Sequence, residues 1–350
     1  MKPYNYLSLL LLPLLVITGY TMAGLWNLLT PAFCFVIHPL ISSIKKRNLT
    51  EIQPMEDITK NHKHFRFVIL SFVPVLVFLF IWSLTRLSHI GFYESCVLAM
   101  ATGTVNGVIG FTLAHEFIHR HTMPEKISGF LLLLVNNYLH YDVEHTGGHH
   151  VYACTPKDPH TARWGESFYI FLPRAIAGTY INAWEIQLTY LKRKGYAFFS
   201  LRNKMLVYTG AQLLLYGVLV IFLGTKGIIF FFVQSSTAIF LLHMINYLQH
   251  YGLARKEITG GKFEKIAEHH SWNSGYAQQA FNLFQLENHA DHHMHPSHPY
   301  EELKHHHESP QLPGGYTTMI CLALIPPLWF RMIHKRIFIT LKSSQHEIID

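Results

Sequence analysis

Six long apolar runs restrict what this chain can fold into more than any other feature. Crossing the hydrocarbon core of a bilayer takes about 20 apolar residues in a helix. Only 14% of the residues are charged, against about 25% in soluble domains. The sequence therefore predicts an all-α, polytopic membrane protein that forms a single domain over residues 1–350. Its six transmembrane helices are expected at about residues 6–20, 24–41, 67–84, 91–114, 205–223 and 227–247.

Both ends of the chain bear on this topology. No clear small-x-small cleavage site follows the first apolar run, so we expect that run to remain as a membrane anchor. Near the other end, the run at residues 316–333 contains Pro326 and Pro327. It could form a seventh span, but we favour an amphipathic segment that lies on the membrane surface.

Basic residues predict the orientation of the spans. The loop between the second and third runs carries six bases, namely Lys45, Lys46, Arg47, Lys60, Lys63 and Arg66. Positive loops stay in the cytoplasm, and alternating crossings then bring all histidine-rich segments to the same side. The formal net charge of +7 fits such membrane flanks better than a nucleic-acid surface, because basic blocks alternate with long apolar runs.

Histidine is unusually abundant, with 26 residues against 21 Asp and Glu together. Four motifs contain many of these: H-E-x-x-H at 115–119, E-H-x-x-G-H-H at 144–150, N-Y-x-x-H-Y-G at 246–252 and H-x-D-H-H at 289–293. Histidines three or four residues apart share one face of a helix, so one face can present all three of the last motif. The candidate metal ligands are His115, His119, His145, His149, His150, His250, His289, His292 and His293.

Nine imidazoles are too many for one zinc ion, which takes three or four protein ligands. They suit two metal ions, and imidazole is a good ligand for iron. The four cysteines form no C-x-x-C pair, and no G-x-G-x-x-G fingerprint follows a strand. The chain therefore offers neither its own iron–sulfur centre nor a dinucleotide site, and electrons must come from a partner.

In this order, the four motifs resemble those of the integral-membrane di-iron alkane hydroxylases, the alkane 1-monooxygenases, which are related to xylene monooxygenase and the fatty-acid desaturases. Segments T-P-K-D-P at 155–159 and H-S-W-N at 270–273 are also similar to that family. The resemblance covers nearly the whole chain. It implies a six-helix membrane bundle with two iron ions held by the nine histidines. We expect the protein in the bacterial inner membrane, and the basic loop puts the metal site on the cytoplasmic side.

The resemblance also implies an activity. Members of this family hydroxylate the terminal methyl group of an alkane with O2, and the apolar substrate enters from the membrane. Medium- or long-chain alkanes are therefore the expected substrates and 1-alkanols the products. The expected electron donor is a rubredoxin or a ferredoxin with its NAD(P)H-dependent reductase.

Charge balance suggests further residues at the metal site. Two divalent irons held by neutral imidazoles leave about four positive charges, and unpaired buried charge is costly. Carboxylates beside the ligands are expected to offset this charge and to accept the second imidazole N–H, namely Glu116, Glu144, Asp158 and Asp291. His270 is a further ligand candidate, although no motif requires it.

Two expectations concern the substrate and the donor. An alkane would have its far end in the helix bundle, where a bulky side chain such as Trp26 would limit its length. The basic run Lys192, Arg193 and Lys194 is expected to attract an acidic electron carrier.

Four alternatives stay open at this point. Two are related di-iron oxidations, namely methyl hydroxylation of an alkylaromatic and desaturation or hydroxylation of a fatty-acyl chain. A membrane metal transporter would need metal-binding groups inside the spans, whereas here they lie at the ends of the apolar runs and in the connecting loops. An intramembrane zinc protease would use only H-E-x-x-H and one further ligand.

Overall fold

The structure is a computed structural model that describes residues 3–40, 61–275 and 284–344. Within these ranges the regular structure is helical, and pairing between extended segments is limited to two isolated bridges. Residues 41–60 lie outside the described residues, and they include four of the six bases used for the orientation. The all-α prediction is confirmed.

The first four helices contain the first four apolar runs. They are α1 (Pro3–Met22), α2 (Gly24–Leu40), α3 (His62–His89) and α4 (Phe92–Ile118). Two shorter elements follow, α5 (Met123–Val135) and α6 (residues 141–152). The remaining helices are α7 (Phe168–Lys194), α8 (Lys204–His250), α9 (His289–Met294), α10 (Tyr316–Ala323) and α11 (Pro326–Ser344).

Four of these helices, α1, α3, α4 and α8, are long and apolar enough to cross a membrane, and α2 is a shorter apolar helix. The protein is therefore an integral membrane protein. The fifth and sixth predicted spans both lie in α8, which has 47 residues. At 1.5 Å per residue such a helix would extend about 70 Å, more than twice the bilayer core. Its break is at Gly224, where φ is 58°.

Close packing of α4 on α8 brings the histidine-bearing ends of these helices together. A Cβ atom at Gly103 would lie 2.4 Å from the Gln234 carbonyl oxygen, so only glycine allows the approach. Small residues serve this purpose at helix crossings in membranes. His115 lies in the last turns of α4 and His250 ends α8, so this packing positions two of the candidate ligand segments.

The apolar run at 316–333 is not one continuous helix. It is divided between α10 and α11, because the helix ends ahead of Pro326 and Pro327 and proline interrupts the hydrogen bonding of a preceding helix. The side chains of Met319 and Trp329 from the two parts are buried in the protein. A single helix therefore does not cover residues 316–333. That this segment lies on the membrane surface stays a prediction.

Candidate metal centre

The nine candidate histidines lie together in two groups. The five-histidine group contains His115, His119, His145, His150 and His292. The four-histidine group contains His149, His250, His289 and His293. Within each group, one ring nitrogen from every member lies within 4.8 Å of the others. Segments up to 178 residues apart in sequence are thus folded into one compact site.

Local helix geometry explains how α6 serves both groups. Residues His145–His149 form a π-helical turn, in which the hydrogen bonding links residues five apart. His145 and His150 are five apart and share the five-histidine group, while His149 enters the other. A Cβ at Gly148 would lie 2.6 Å from Asn182 Nδ2 and 2.8 Å from Glu144 Oε1, so glycine is needed for this packing.

The short helix α9 also serves both groups, which corrects the expectation of one shared face. His289 and His293 are four residues apart and belong to the four-histidine group. His292 belongs to the five-histidine group instead. Consecutive residues of a helix point about 100° apart, so His292 and His293 diverge towards two different centres.

Distances between ring nitrogens test whether metal ions fit. Nε2 of His150 lies 3.0 Å from that of His145 and 3.1 Å from that of His292. Nε2 of His289 lies 3.1 Å from that of His250 and 3.0 Å from that of His293. Two ligands about 2.1 Å from one ion at a right angle are separated by about 3.0 Å. The spacing fits a metal centre in each group.

The protonation of the rings supports the same conclusion. Burial lowers the pKa of five of them well below the ordinary value, namely His145, His150, His289, His292 and His293. Neutral imidazole is the form that binds metal. The Nε2 atoms of His115, His119 and His149 are buried and have no hydrogen-bond partner among the described residues. A metal ion would satisfy these atoms.

Two of the rings are held from behind. His149 Nδ1–H donates to Asp158 Oδ2 at 3.0 Å. Burial raises the pKa of Asp158, but its contacts with His149, His160 and Thr161 outweigh burial and hold that pKa below its usual value. His250 Nδ1 lies 3.5 Å from Cys154 Sγ, and the Cys154 thiol donates to the His270 carbonyl at 2.9 Å. Such contacts fix ring orientation.

The other three acids make different contacts from those expected. Within the described part of the chain, Glu144 accepts from His160 at 2.8 Å and from Asn182 at 3.2 Å. Glu116 pairs with Arg120 at 2.5 Å, and Asp291 accepts from His306 at 2.7 Å. Each is next to a candidate ligand in sequence, but neighbours on a helix point in different directions.

Sequence reasoning missed His160, which is fully buried beside the four-histidine group. Its Nε2–H donates to Glu144, its Nδ1 accepts from Asn246 at 2.8 Å, and its ring centre lies 5.0 Å from that of His149. Burial lowers the pKa of His160, but nearby carboxylates, Glu144 foremost, have a larger upward effect. The pKa of His160 is therefore raised above its usual value. The available signal was its position two residues after Asp158, next to the T-P-K-D-P segment.

His270 lies outside both groups. Its Nδ1 accepts from the Ala267 backbone N–H at 2.9 Å, and its Nε2 lies 3.2 Å from Glu264 Oε1. Both ring nitrogens are thus engaged in hydrogen bonds. His270 therefore belongs to neither histidine group and instead lies in a separate cluster of possible ligands with Glu264 and His269.

An apolar cavity of about 210 Å³ reaches the metal centre from the helix bundle. Side chains from α1, α2, α4, α8 and α10 line it, together with the candidate ligands His115, His145 and His289. Trp26 is outside its lining and is 53% exposed. The cavity therefore offers an apolar molecule a route from the bundle to both groups.

A separate cleft of about 700 Å³ borders the five-histidine group. His119 lines it, together with charged residues that include Arg120, Lys126, Asp142 and Lys204. His119 itself is only partly buried. The five-histidine group therefore meets the apolar cavity on one side and, on another, a cleft that contains charged residues.

Comparison with known proteins agrees with this geometry. The fatty acid desaturase family model matches residues 92–323, which include all nine histidines. Alkane 1-monooxygenase 2 of Alcanivorax borkumensis is 35% identical over 96% of this chain and 91% of its own length. The chain belongs to the alkane 1-monooxygenase family. It is accordingly an oxidoreductase of the monooxygenase class.

Other relatives extend the comparison. Alkane 1-monooxygenase 2 of Pseudomonas aeruginosa is 35% identical over 95% of this chain and 89% of its own length. The xylene/toluene monooxygenase hydroxylase component XylM of Pseudomonas putida is 33% identical over 69% of this chain and 63% of its own length. The alkane 1-monooxygenase family thus matches α1 to α3 as well as the histidine motifs.

Proposed function

We propose that this chain is a membrane di-iron monooxygenase that converts medium- or long-chain alkanes to 1-alkanols. The balanced reaction is R–CH3 + O2 + 2 e⁻ + 2 H⁺ giving R–CH2OH + H2O. The observation that carries the proposal is the apolar cavity, which runs from the bundle to His115, His145 and His289. The two relatives named alkane 1-monooxygenases support the choice of substrate.

In this proposal the five-histidine group holds one iron and the four-histidine group the other. Bound iron supplies the oxidising chemistry. The chain's own residues enclose the imidazoles in the protein, and Asp158 keeps the His149 ring in place. Asp158 also brings one negative charge against the positive charge of the metal site.

The protein's further task is to bind the alkane and exclude water. Phe111, Leu241 and Leu242 lie in the lining of the cavity beside the three histidines. Burying apolar surface contributes about 25 cal/mol per Å², so an alkane is drawn into this cavity without any polar contact. Its position in the cavity then determines which carbon lies nearest the metal centre.

We further propose that the metal site faces the cytoplasm of a bacterial inner membrane. A rubredoxin or ferredoxin, reduced by an NAD(P)H-dependent reductase, would dock there. The cleft at His119 suits such a donor, because it brings the partly buried His119 within reach of the protein surface and has basic residues on its rim. Complementary charge speeds the encounter of electron carriers.

Product analysis tests the proposal. Membranes containing the chain, a donor and its reductase would receive alkanes, alkylbenzenes and fatty acids in parallel, and gas chromatography would identify the products. We expect 1-alkanols from alkanes. His115→Ala should abolish them, whereas His307→Ala, at an exposed position outside both groups, should not. Zinc without iron in active preparations would contradict the proposal.

Methyl hydroxylation of an alkylaromatic is the second candidate, because XylM is also similar to this chain. The same experiment separates the two functions. Benzylic alcohols formed in place of 1-alkanols would favour this candidate, and an alkene product from a fatty acid would indicate a desaturase.

A further inference from the structure

The loop between α7 and α8 presents two apolar side chains to its surroundings. Phe199 is 87% exposed and Leu201 is 93% exposed. Three exposed bases, Lys192, Arg193 and Lys194, precede them, and the exposed Arg202 follows. No acidic residue occurs between residues 190 and 204. The surface is therefore both apolar and positively charged.

The protein holds this loop in a defined shape. Gly195 ends α7 in the left-handed conformation, with φ of 69°. The Asn203 side chain donates to the Phe198 carbonyl at 3.1 Å, and the Gln187 side chain donates to the Arg202 carbonyl at 3.0 Å. Phe198 stacks on Trp184, with ring centres 6.1 Å apart. Phe199 and Leu201 are thus kept outward by a hydrogen-bonded frame.

The position of the loop along the chain indicates what covers it. Lys204 begins α8, a helix long and apolar enough to cross the bilayer. Leu213 and Leu214, in the third turn of that helix, are 65% and 71% exposed, as expected for side chains that face lipid. The loop is therefore adjacent to the bilayer boundary, where aromatic and basic side chains are favoured.

The outer face of α7 continues the same pattern. Ile170, Ile181 and Leu188 are 64%, 57% and 42% exposed, and their spacing puts them on one face of the helix. This helix is not among those long and apolar enough to cross the membrane. An amphipathic helix with apolar residues on one face and bases at its end is typical of an element that lies in the membrane interface.

We propose that the α7–α8 loop is seated on anionic phospholipid. Phe199 and Leu201 enter the boundary of the acyl chains, while the bases at residues 192–194 and Arg202 bind the phosphate headgroups. Each base near an anionic leaflet contributes roughly fivefold to such binding. The contact fixes the end of α7, whose Asn182 donates to Glu144 beside the histidines of α6.

A spin label at Phe199→Cys tests the proposal in the full-length protein. Cys96 and Cys321 would be changed to Ser, since Cys34 and Cys154 are buried. The protein would be placed in bilayers of phosphatidylcholine with phosphatidylglycerol. Collisions of the label with oxygen and with a water-soluble nickel chelate would be compared with labels at the lipid-facing Phe222 and at the exposed Glu257.

We expect the label at residue 199 to be shielded from nickel, as at residue 222. Reversing Lys192, Arg193 and Lys194 to Glu should weaken this shielding in phosphatidylglycerol, whereas the control Lys262→Glu with Lys265→Glu should not. Circular dichroism would show that each variant keeps its helix content.

Four results would overturn the proposal. Nickel access at residue 199 equal to that at residue 257 would show a water-facing loop. Shielding that develops only when an acidic rubredoxin is added would identify a protein docking surface. Shielding in detergent that rises with protein concentration would identify a contact between two copies. If shielding is the same with and without phosphatidylglycerol, the anionic lipid is not the ligand.

Discussion

The two histidine groups share one kind of ligand but differ in their surroundings. All four members of the four-histidine group are buried, and two of them are held from behind by Asp158 and Cys154. The five-histidine group includes the partly exposed His119 and His150, and it borders both the apolar cavity and the cleft at His119. The four-histidine group is thus the more enclosed of the two, and the five-histidine group is the one that reaches the cleft.

The cavity limits how far this contrast extends. It is lined by His115 and His145 from one group and by His289 from the other. A substrate in the cavity therefore lies against both groups. The division concerns burial: within the described part of the chain all four rings of one group are buried, whereas His119 and His150 of the other are partly buried.

The largest expected effect comes from His250, which stands alone in its motif. It is fully buried and supplies one of only four imidazoles in its group. His250→Ala should lower turnover more than about 100-fold and reduce iron content, because loss of a ligand exceeds the 10- to 100-fold cost of losing a supporting contact. Metal analysis and product formation would check this.

His307→Ala is the matched control and should leave both measurements unchanged, since His307 is exposed and outside both groups. Near-normal iron content and turnover in His250→Ala would show that the four-histidine group does not need this ring. The contrast between the groups would then lose its basis.

Asp158→Asn sharpens the contrast at the level of the supporting contacts. The amide keeps the size of the side chain but removes the charge that faces His149. We expect turnover to fall about 10- to 100-fold. Asp291→Asn is the comparison, because the Asp291 carboxylate contacts His306 rather than a candidate ligand. Equal losses in the two variants would contradict a special role for Asp158.

These two acids also show how far the sequence could lead. Asp291 is adjacent to His292 in sequence and Asp158 follows His150 by eight residues, but neither spacing indicates which acid contacts a ligand. The folded path of the backbone decides which acid contacts a ligand. Asp158 lies against His149 because the chain turns after it, and in this turn the His160 backbone N–H donates to the Asp158 carboxylate at 3.0 Å. Hydrogen bonds of this kind depend on the folded path of the chain, which spacing alone does not specify.

The sequence also did not predict how the nine histidines divide between the two groups. Helical spacing predicted that His289, His292 and His293 share a face, and the nine candidates were found from their motifs alone. The π-helical turn in α6 and the packing of α9 then divide neighbouring rings between two centres. Apolar run length, by contrast, located the helices, and the break at Gly224 lies within the predicted connection at residues 224–226.

A smaller effect is expected from the cavity. Val108 lies in its lining, on the π-helical turn of α4. Val108→Phe should fill part of the space and shift selectivity towards shorter alkanes, because each methylene of fit contributes about 1–3 kcal/mol. Competition between alkanes of different length would measure this. Trp26→Ala should leave the selectivity for chain length unchanged. A change of selectivity in this variant would show that Trp26 limits the chain length of the substrate after all.

The smallest effect concerns the cleft beside the five-histidine group. If the cleft at His119 receives an acidic donor, Lys126 on its rim should speed the encounter. Lys126→Glu should lower kcat/KM for the donor several-fold at about 0.1 M salt. The loss should fade as the Debye length falls from about 10 Å to about 3 Å at 1 M salt. Lys262→Glu makes the same charge change at an exposed position outside the cleft. Equal losses in both variants would mean that the donor responds to overall charge, and the cleft would no longer distinguish the five-histidine group from the buried one.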